Sequence, residues 1–186
     1  MRLLLLFILS PFLLFSQVQI GSDIDGIRPG DMFGTSVSIS SDGTIVAIGG
    51  PRNFYAGENA GHVRVFENIS GVWTQIGDAI NGDAAFDAFG TSVSISSDGS
   101  TVAIGGPGND TGGVNAGHVR VFENISGTWT QIGNAINGSA GDLLGYNVSL
   151  SDNGLKIAIS APEADFVRVY EYILGTWTQV GSDIVQ

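Results

Sequence analysis

The chain has 186 residues, 43% hydrophobic and 13% charged, with 28 glycines, no cysteine and a formal net charge of −11. Without cysteine there are no disulfides, no thiol nucleophile and no thiolate metal site, so a secreted fold has to be held by its core or by its repeats. The acidic balance repels phosphate backbones and sets nucleic acid aside as a partner.

Met1-Arg2 opens the chain, and residues 3–15 form an apolar run broken only by Ser10-Pro11. A basic start, a short apolar core and a small residue at Ser16 describe a secretory signal peptide over residues 1–16. The run is shorter than the ~20 residues that a membrane-spanning helix needs. The mature chain is therefore expected to be secreted or held at the cell surface, without inserting into the membrane.

Residues 17–32 contain Gln19-Ile20-Gly21-Ser22-Asp23-Ile24, which matches Gln179-Val180-Gly181-Ser182-Asp183-Ile184 near the other end. This is a stray strand and linker ahead of three copies of one unit, over residues 33–88, 89–143 and 144–186. Residues 33–43 read Phe-Gly-Thr-Ser-Val-Ser-Ile-Ser-Ser-Asp-Gly, and residues 89–99 repeat them without a change. A diverged copy begins at Leu144-Gly145-Tyr146-Asn147-Val148-Ser149-Leu150. The copies close on Trp73, Trp129 and Trp177, each followed by Thr-Gln. A fixed period of about fifty residues reads as a propeller, solenoid or array.

Within a copy, Val37 and Ile39 alternate with Ser36, Ser38 and Ser40, a period of two that marks a strand. Asp42-Gly43 is expected to turn a tight hairpin. Residues 44–48 read as a strand apolar on both faces, residues 49–60 as a loop, 62–67 as a third strand and 72–76 as a fourth. Four antiparallel strands per repeat compose a propeller blade. The expected fold is all-β: tandem four-stranded blades, about three blades of a larger ring. A single meander cannot bury both its faces, so the tryptophans, and Phe66, Phe122 and Tyr170, are expected in seams between blades. Because the stray strand precedes three full copies, we expect further blades from a longer chain, of which this one is a truncated piece, or from oligomerisation.

The pattern resembles the FG-GAP repeat of the integrin α-chain propeller and its secreted bacterial relatives. The likeness rests on Phe33-Gly34 with Gly49-Gly50-Pro51, Phe89-Gly90 with Gly105-Gly106-Pro107, and Leu144-Gly145 with Ser160-Ala161-Pro162. It implies a propeller with a role in adhesion or ligand binding. The resemblance also implies calcium loops between these motifs. Here that interval has shrunk to Ser40-Ser41-Asp42-Gly43, Ser96-Ser97-Asp98-Gly99 and Ser151-Asp152-Asn153-Gly154, and one carboxylate does not supply six to eight oxygens. Calcium is left to the acidic linkers, with Asp78, Asp83 and Asp87 as candidate ligands and Asp23, Asp25 and Asp31 in the first linker. No other cofactor is expected.

His62 and His118 recur beside Arg64 and Arg120, while the third copy has Phe166, so these read as blade-building residues. The arginines are expected to pair with Glu67 and Glu123 or with neighbouring turns. No Gly-x-Ser-x-Gly elbow is present, and near-identical copies argue against an active site, which would make the repeat asymmetric. Asn68, Asn124, Asn137 and Asn147 each begin an Asn-x-Ser sequon. The loops between second and third strands differ in sequence on an otherwise constant scaffold, which is where recognition resides. Arg52, Asn53, Tyr55, Glu58, Asn59, Asn109, Asp110 and Asn115 are the candidate ligand-binding residues. The expected function is an extracellular binding or adhesion module for a protein or glycan at the cell surface. Its alternatives are a structural segment of a larger adhesin and, last, a propeller hydrolase or lyase.

Overall fold

The computed structural model describes residues 18–185, so the expected signal peptide lies outside the described residues. The first sheet holds β1 (Ser36–Ile39), β2 (Ile45–Gly50), β3 (His62–Ile69), β4 (Val72–Gln75) and β5 (Ile80–Asn81). The second repeats it with β6 (Ser92–Ile95), β7 (Thr101–Gly106), β8 (His118–Ile125), β9 (Thr128–Gln131) and β10 (Ile136–Asn137). The third holds β11 (Val148–Leu150), β12 (Lys156–Ala161), β13 (Phe166–Ile173), β14 (Thr176–Gln179) and β15 (Ile184–Val185). Within each sheet every strand pairing is antiparallel and joins chain neighbours, except that β4 and β5 share one edge of β3, as β9 and β10 share β8 and β14 and β15 share β13. Each sheet is thus a four-stranded blade whose outer strand is broken in two. A 3-10 turn at Pro162–Ala164 is the sole helical element among the described residues, and no helix there is long and apolar enough to cross a membrane.

The turns differ from the sequence expectation. Ser70 and Gly71 both take positive φ, 54° and 87°, and join β3 to β4 as the two-residue hairpin loop. Asp42 keeps an ordinary φ, and only Gly43 is left-handed at 74°. Asp42 instead accepts from Ser40 Oγ at 2.7 Å, Thr44 N at 2.9 Å and Thr44 Oγ1 at 2.8 Å, and so builds a wider loop around its carboxylate. Those bonds hold its pKa below the usual carboxylate value.

The core lies between blades. One cluster joins Ala47, Val63, Val65 and Ile80 of the first blade to Phe89, Val93, Ile95, Val102 and Ile104 of the second. Another joins Ala103, Val119, Val121 and Ile136 of the second to Leu144, Ile157, Ile159, Phe166 and Trp177 of the third. The inner strands are cross-linked by the serines that alternate with the apolar residues. Ile95 N donates to Ser38 Oγ at 3.0 Å and Leu150 N to Ser94 Oγ at 2.8 Å. Ser36 Oγ donates to Gly90 O and Ser92 Oγ to Gly145 O, each at 2.8 Å. The tryptophans close the outer rim of the seams, as expected: Trp129 Nε1 donates to Ile76 O at 2.9 Å and Trp177 Nε1 to Ile132 O at 3.0 Å. Trp73 donates to Ile20 O at 3.0 Å, so residues 19–24 lie against the first blade where a preceding blade's outer strand would lie.

Among the described residues two blade faces are left open. Val37 and Ile39 are 64% and 58% exposed, whereas their equivalents Val93 and Ile95 are 8% and 7% exposed in the seam. On the far side of the third blade, Ser160 stands where Gly49 and Gly105 stand in the others. A Cβ at Gly49 would meet Gly90 O at 2.1 Å and one at Gly105 would meet Gly145 O at 1.9 Å, so that outer face does not take a blade in the same geometry.

Candidate functional site

The loops joining β2 to β3 and β7 to β8, residues 51–61 and 107–117, lie beside the linkers that lead to the next blade. In both, a buried asparagine anchors the loop on an aspartate of the preceding linker. Asn53 Nδ2 donates to Asp31 Oδ2 at 2.8 Å, and Asn109 Nδ2 to Asp87 Oδ1 at 3.1 Å. Tyr55 N returns to Asn53 Oδ1 at 2.9 Å and Thr111 N to Asn109 Oδ1 at 3.0 Å. Asn59 and Asn115 share a left-handed φ of 52° and 51°, a conformation asparagine tolerates. The loop ends are tied alike, by Gly61 N to Asn53 O at 3.0 Å and Gly117 N to Asn109 O at 2.9 Å. One loop backbone is therefore built twice, and the side chains it presents differ: Arg52, Phe54, Tyr55 and Glu58 in the first, Gly108, Asp110, Thr111 and Val114 in the second.

Beside each anchor stands a buried histidine. His62 and His118 are 1% and 2% exposed, and Nε2 of each has no hydrogen-bond partner. Burial pulls both pKa values down, against the nearby carboxylates of Asp31 and Asp87, and takes His118 to about 4. Both rings are therefore neutral at physiological pH. Each stacks edge-on against the FG phenylalanine of its own repeat, His62 on Phe33 at 5.9 Å and His118 on Phe89 at 5.7 Å between centroids. The arginine two residues on lies over the same ring: Arg64 over Phe33 at 5.4 Å and Arg120 over Phe89 at 5.1 Å. The arginines pair with neighbouring turns rather than with Glu67 and Glu123. Arg64 donates to Gln75 Oε1 at 2.7 Å and Asp25 O at 3.1 Å, and Arg120 to Gln131 Oε1 at 2.9 Å and Asp83 Oδ1 at 2.7 Å.

In the first blade this end opens into a cavity of about 570 Å³ lined by Ile27, Arg28, Asn53, Tyr55, His62, Asp78, Ala79 and Asn81. The candidate residues Asn53, Tyr55 and Asp78 meet there. Arg52 and Glu58 stand exposed on the adjoining loop, and Asn59 carries its turn. Asn109, Asp110 and Asn115 belong to the second loop and do not reach this cavity; Asn109 is 4% exposed, and Asp110 Oδ1 accepts from Asn115 N at 2.8 Å. Arg28, Ile27, Asn81 and the buried His62 were missed as ligand-binding candidates. The signal that points to them is the mismatch between repeats: Ile27, Arg28, Tyr55 and Asp78 have Asp83, Ala84, Thr111 and Asn134 at the equivalent positions.

The three candidate metal ligands have separate partners. Asp83 pairs with Arg120, Asp87 Oδ2 accepts from Asp83 N at 3.1 Å and Ala84 N at 3.0 Å, and Asp78 lines the cavity. Among the described residues no group of three or more histidine, aspartate or glutamate side chains is arranged to hold a metal ion.

The FG-GAP repeat matches residues 73–122, a span that runs from β4 through most of β8 and so crosses one seam. No curated protein matches the chain in sequence. Among solved structures the chain is similar to a candidate 6-phosphogluconolactonase from Bacteroides fragilis, at TM-score 0.58 and 18% identity over 80% of this chain and 38% of that one. A candidate 6-phosphogluconolactonase from Bacteroides uniformis gives TM-score 0.59 at 16% identity over 80% and 39%. Hydrazine synthase of Kuenenia stuttgartiensis gives 0.54 at 12% identity over 91% and 41%. The chain spans about two fifths of the length of these proteins. At this identity the likeness shows the fold alone: stacked blades of a partial β-propeller.

Proposed function

We propose that the chain is a secreted or surface-held binding module, without chemistry of its own, whose recognition surface is the loop end of its blades. The observation that carries this is the doubled loop: one backbone, anchored through Asn53 or Asn109, presents different exposed side chains on two blades of one repeat. A loop built by buried anchors and varied only at its tips separates fold from recognition. The two histidines do not suggest catalysis, since both recur as neutral, buried ring partners of a phenylalanine.

The test grafts the second loop onto the first blade by Arg52→Gly, Phe54→Asp, Tyr55→Thr, Ala56→Gly and Glu58→Val. The chain already folds that loop on the same backbone, so thermal unfolding should stay unchanged. Binding to a glycan array or to immobilised extracellular-matrix proteins should fall for the graft. Binding that is indifferent to the graft removes the loop end as the recognition surface and favours a purely structural array.

A further inference from the structure

The described residues include six basic side chains: Arg28, Arg52, Arg64, Arg120, Lys156 and Arg168. Four are engaged within the chain: Arg64 with Gln75 and Asp25 O, Arg120 with Asp83, Lys156 with Glu171, and Arg168 with both oxygens of Asp183. Among the described residues, Arg28 and Arg52 have neither an ion pair nor a side-chain hydrogen bond; Arg28 lines the first-blade cavity and Arg52 stands exposed on the adjoining loop. The main chain holds them together there, with Asp31 N donating to Arg28 O at 3.4 Å and Arg52 N to Asp31 O at 3.2 Å. Neither is a repeat feature. Ala84 and Ser139 take the place of Arg28 in the later repeats, and Gly108 and Glu163 that of Arg52.

In a chain of net charge −11, Arg28 in the lining and Arg52 on the adjoining loop bring two unengaged guanidinium groups to one end of the first blade, beside the Asp78 carboxylate. Guanidinium forks match a carboxylate or a sulfate oxygen pair. The rest of the lining has a different chemistry. Tyr55, 82% exposed, offers an aromatic face, and Asp78 and Asn81 offer a carboxylate and an amide suited to hydroxyl groups. His62 lines the same cavity, 1% exposed and with Nε2 unpartnered. A cavity of this volume lies within the roughly 300–1,000 Å³ of small-ligand sites.

We propose that the first-blade cavity binds a sugar unit carrying an anionic group, with Arg28 and Arg52 receiving the anion, Tyr55 stacking on the ring, and Asp78 and Asn81 bonding its hydroxyls. This rests on the loop-end reading above and names its ligand class. An acidic peptide fits less well, because Asp78 stands in the cavity and a run of carboxylates meets an acidic surface. The same repulsion selects a single acidic unit at the end of a neutral glycan over a polyanion.

Isothermal titration of the full chain compares a disaccharide ending in glucuronate with the same disaccharide ending in glucose, and adds an oligo-glutamate peptide. The glucuronate ligand should bind at least about tenfold more tightly than its neutral counterpart. Arg28→Ala and Arg52→Gly install residues the second repeat already carries, so the fold is preserved. Each should weaken glucuronate binding about tenfold while leaving thermal unfolding unchanged. Equal binding of both disaccharides, arginine variants that bind as well as the parent, tighter binding of oligo-glutamate, or no binding of glucuronate each overturns the proposal. If glucuronate fails while graft-sensitive binding to the array persists, this assignment falls and loop-end recognition stands.

Discussion

Val37 and Ile39 lie on the open face of the first blade, and Val93 and Ile95 are the same residues of the same repeat inside a seam, so the fold carries its own control. Ile→Ala at 95 removes three carbons from a side chain only 7% exposed. At ~0.8 kcal/mol per buried methylene the transfer part is roughly 2.4 kcal/mol, and the residual cavity between two sheets raises the total to about 3–4 kcal/mol. Ile39 is 58% exposed and faces no sheet, so less than half of the transfer part applies and no cavity forms. Its replacement should cost about 1 kcal/mol. For a chain of this length, that separates the two variants by roughly 4–10 °C in midpoint temperature. Thermal and urea unfolding, followed by tryptophan fluorescence, read the difference directly, because Trp129 and Trp177 stand in the seams. Equal losses for Ile39→Ala and Ile95→Ala would refute the reasoning, and would mean that another blade covers Val37 and Ile39 in solution.

Replacing His118 by the phenylalanine of the third repeat tests its burial as a neutral ring. Its folded pKa of about 4 lies below the 6.5 of the unfolded chain, so between those values the unfolded state binds the extra proton and stability falls as pH falls. The parent should lose up to roughly 3 kcal/mol across that window, and His118→Phe should flatten the slope in pH-dependent urea unfolding. Trp129→Phe keeps the ring in the seam but loses the bond to Ile76 O, which should cost about 1 kcal/mol by the same assay. Gly105→Ser places a side chain against Gly145 O, where a Cβ already falls at 1.9 Å, and should destabilise the second seam by about 3 kcal/mol or more. Calcium or chelator should leave the melting temperature unmoved, since Asp83 is held by Arg120 and Asp87 by backbone amides; a calcium-dependent rise lost in Asp83→Ala with Asp87→Ala would reinstate the acidic linkers as a metal site.

The repeat made most of the fold legible, because identical segments must occupy equivalent places and a meander with two apolar faces must stack. Local geometry was less legible where a side chain, rather than a spacing, decides it. Asp42-Gly43 and Ser70-Gly71 both end a strand before glycine, but Asp42 has Ser40 and Thr44 within reach of its carboxylate and builds a wider loop. Ser70 has no such anchor, and the tight turn falls there, with Asn68 Oδ1 accepting from Gly71 N at 2.8 Å. That bond gives the asparagine of the first sequon a structural task. The alternating serines misdirect in another way. A period of two marks one wet face, yet in the second blade Ser92 is 7% exposed and Val93 8%. The hydroxyl face is as buried as the apolar one because its oxygens bond strand ends of the next blade, which no periodicity distinguishes from solvent.

The candidate site follows from the same logic in reverse. Positions that build seams are fixed by contacts made twice over: Gly49 and Gly105 have no room for a Cβ, and Asn53 and Asn109 each hold a buried aspartate. A change at either glycine is felt in the next blade, and a change at either asparagine frees a buried carboxylate of the preceding linker. Arg28, Arg52 and Tyr55 belong to neither core cluster between blades, and Asp78 stands only at the seam's edge beside Gly127 and Trp129, so the packed core does not require them to match Ala84, Gly108, Thr111 and Asn134. Their divergence alone would be neutral drift. Two features go beyond drift: the differences gather at one cavity and its adjoining loop, and they set one unengaged arginine in the lining and a second on that loop, in a chain whose other described basic side chains are all engaged. A repeat protein that keeps its seams and alters one blade's end in charge, aromatic surface and shape together has the physical form of a scaffold with a single specialised site.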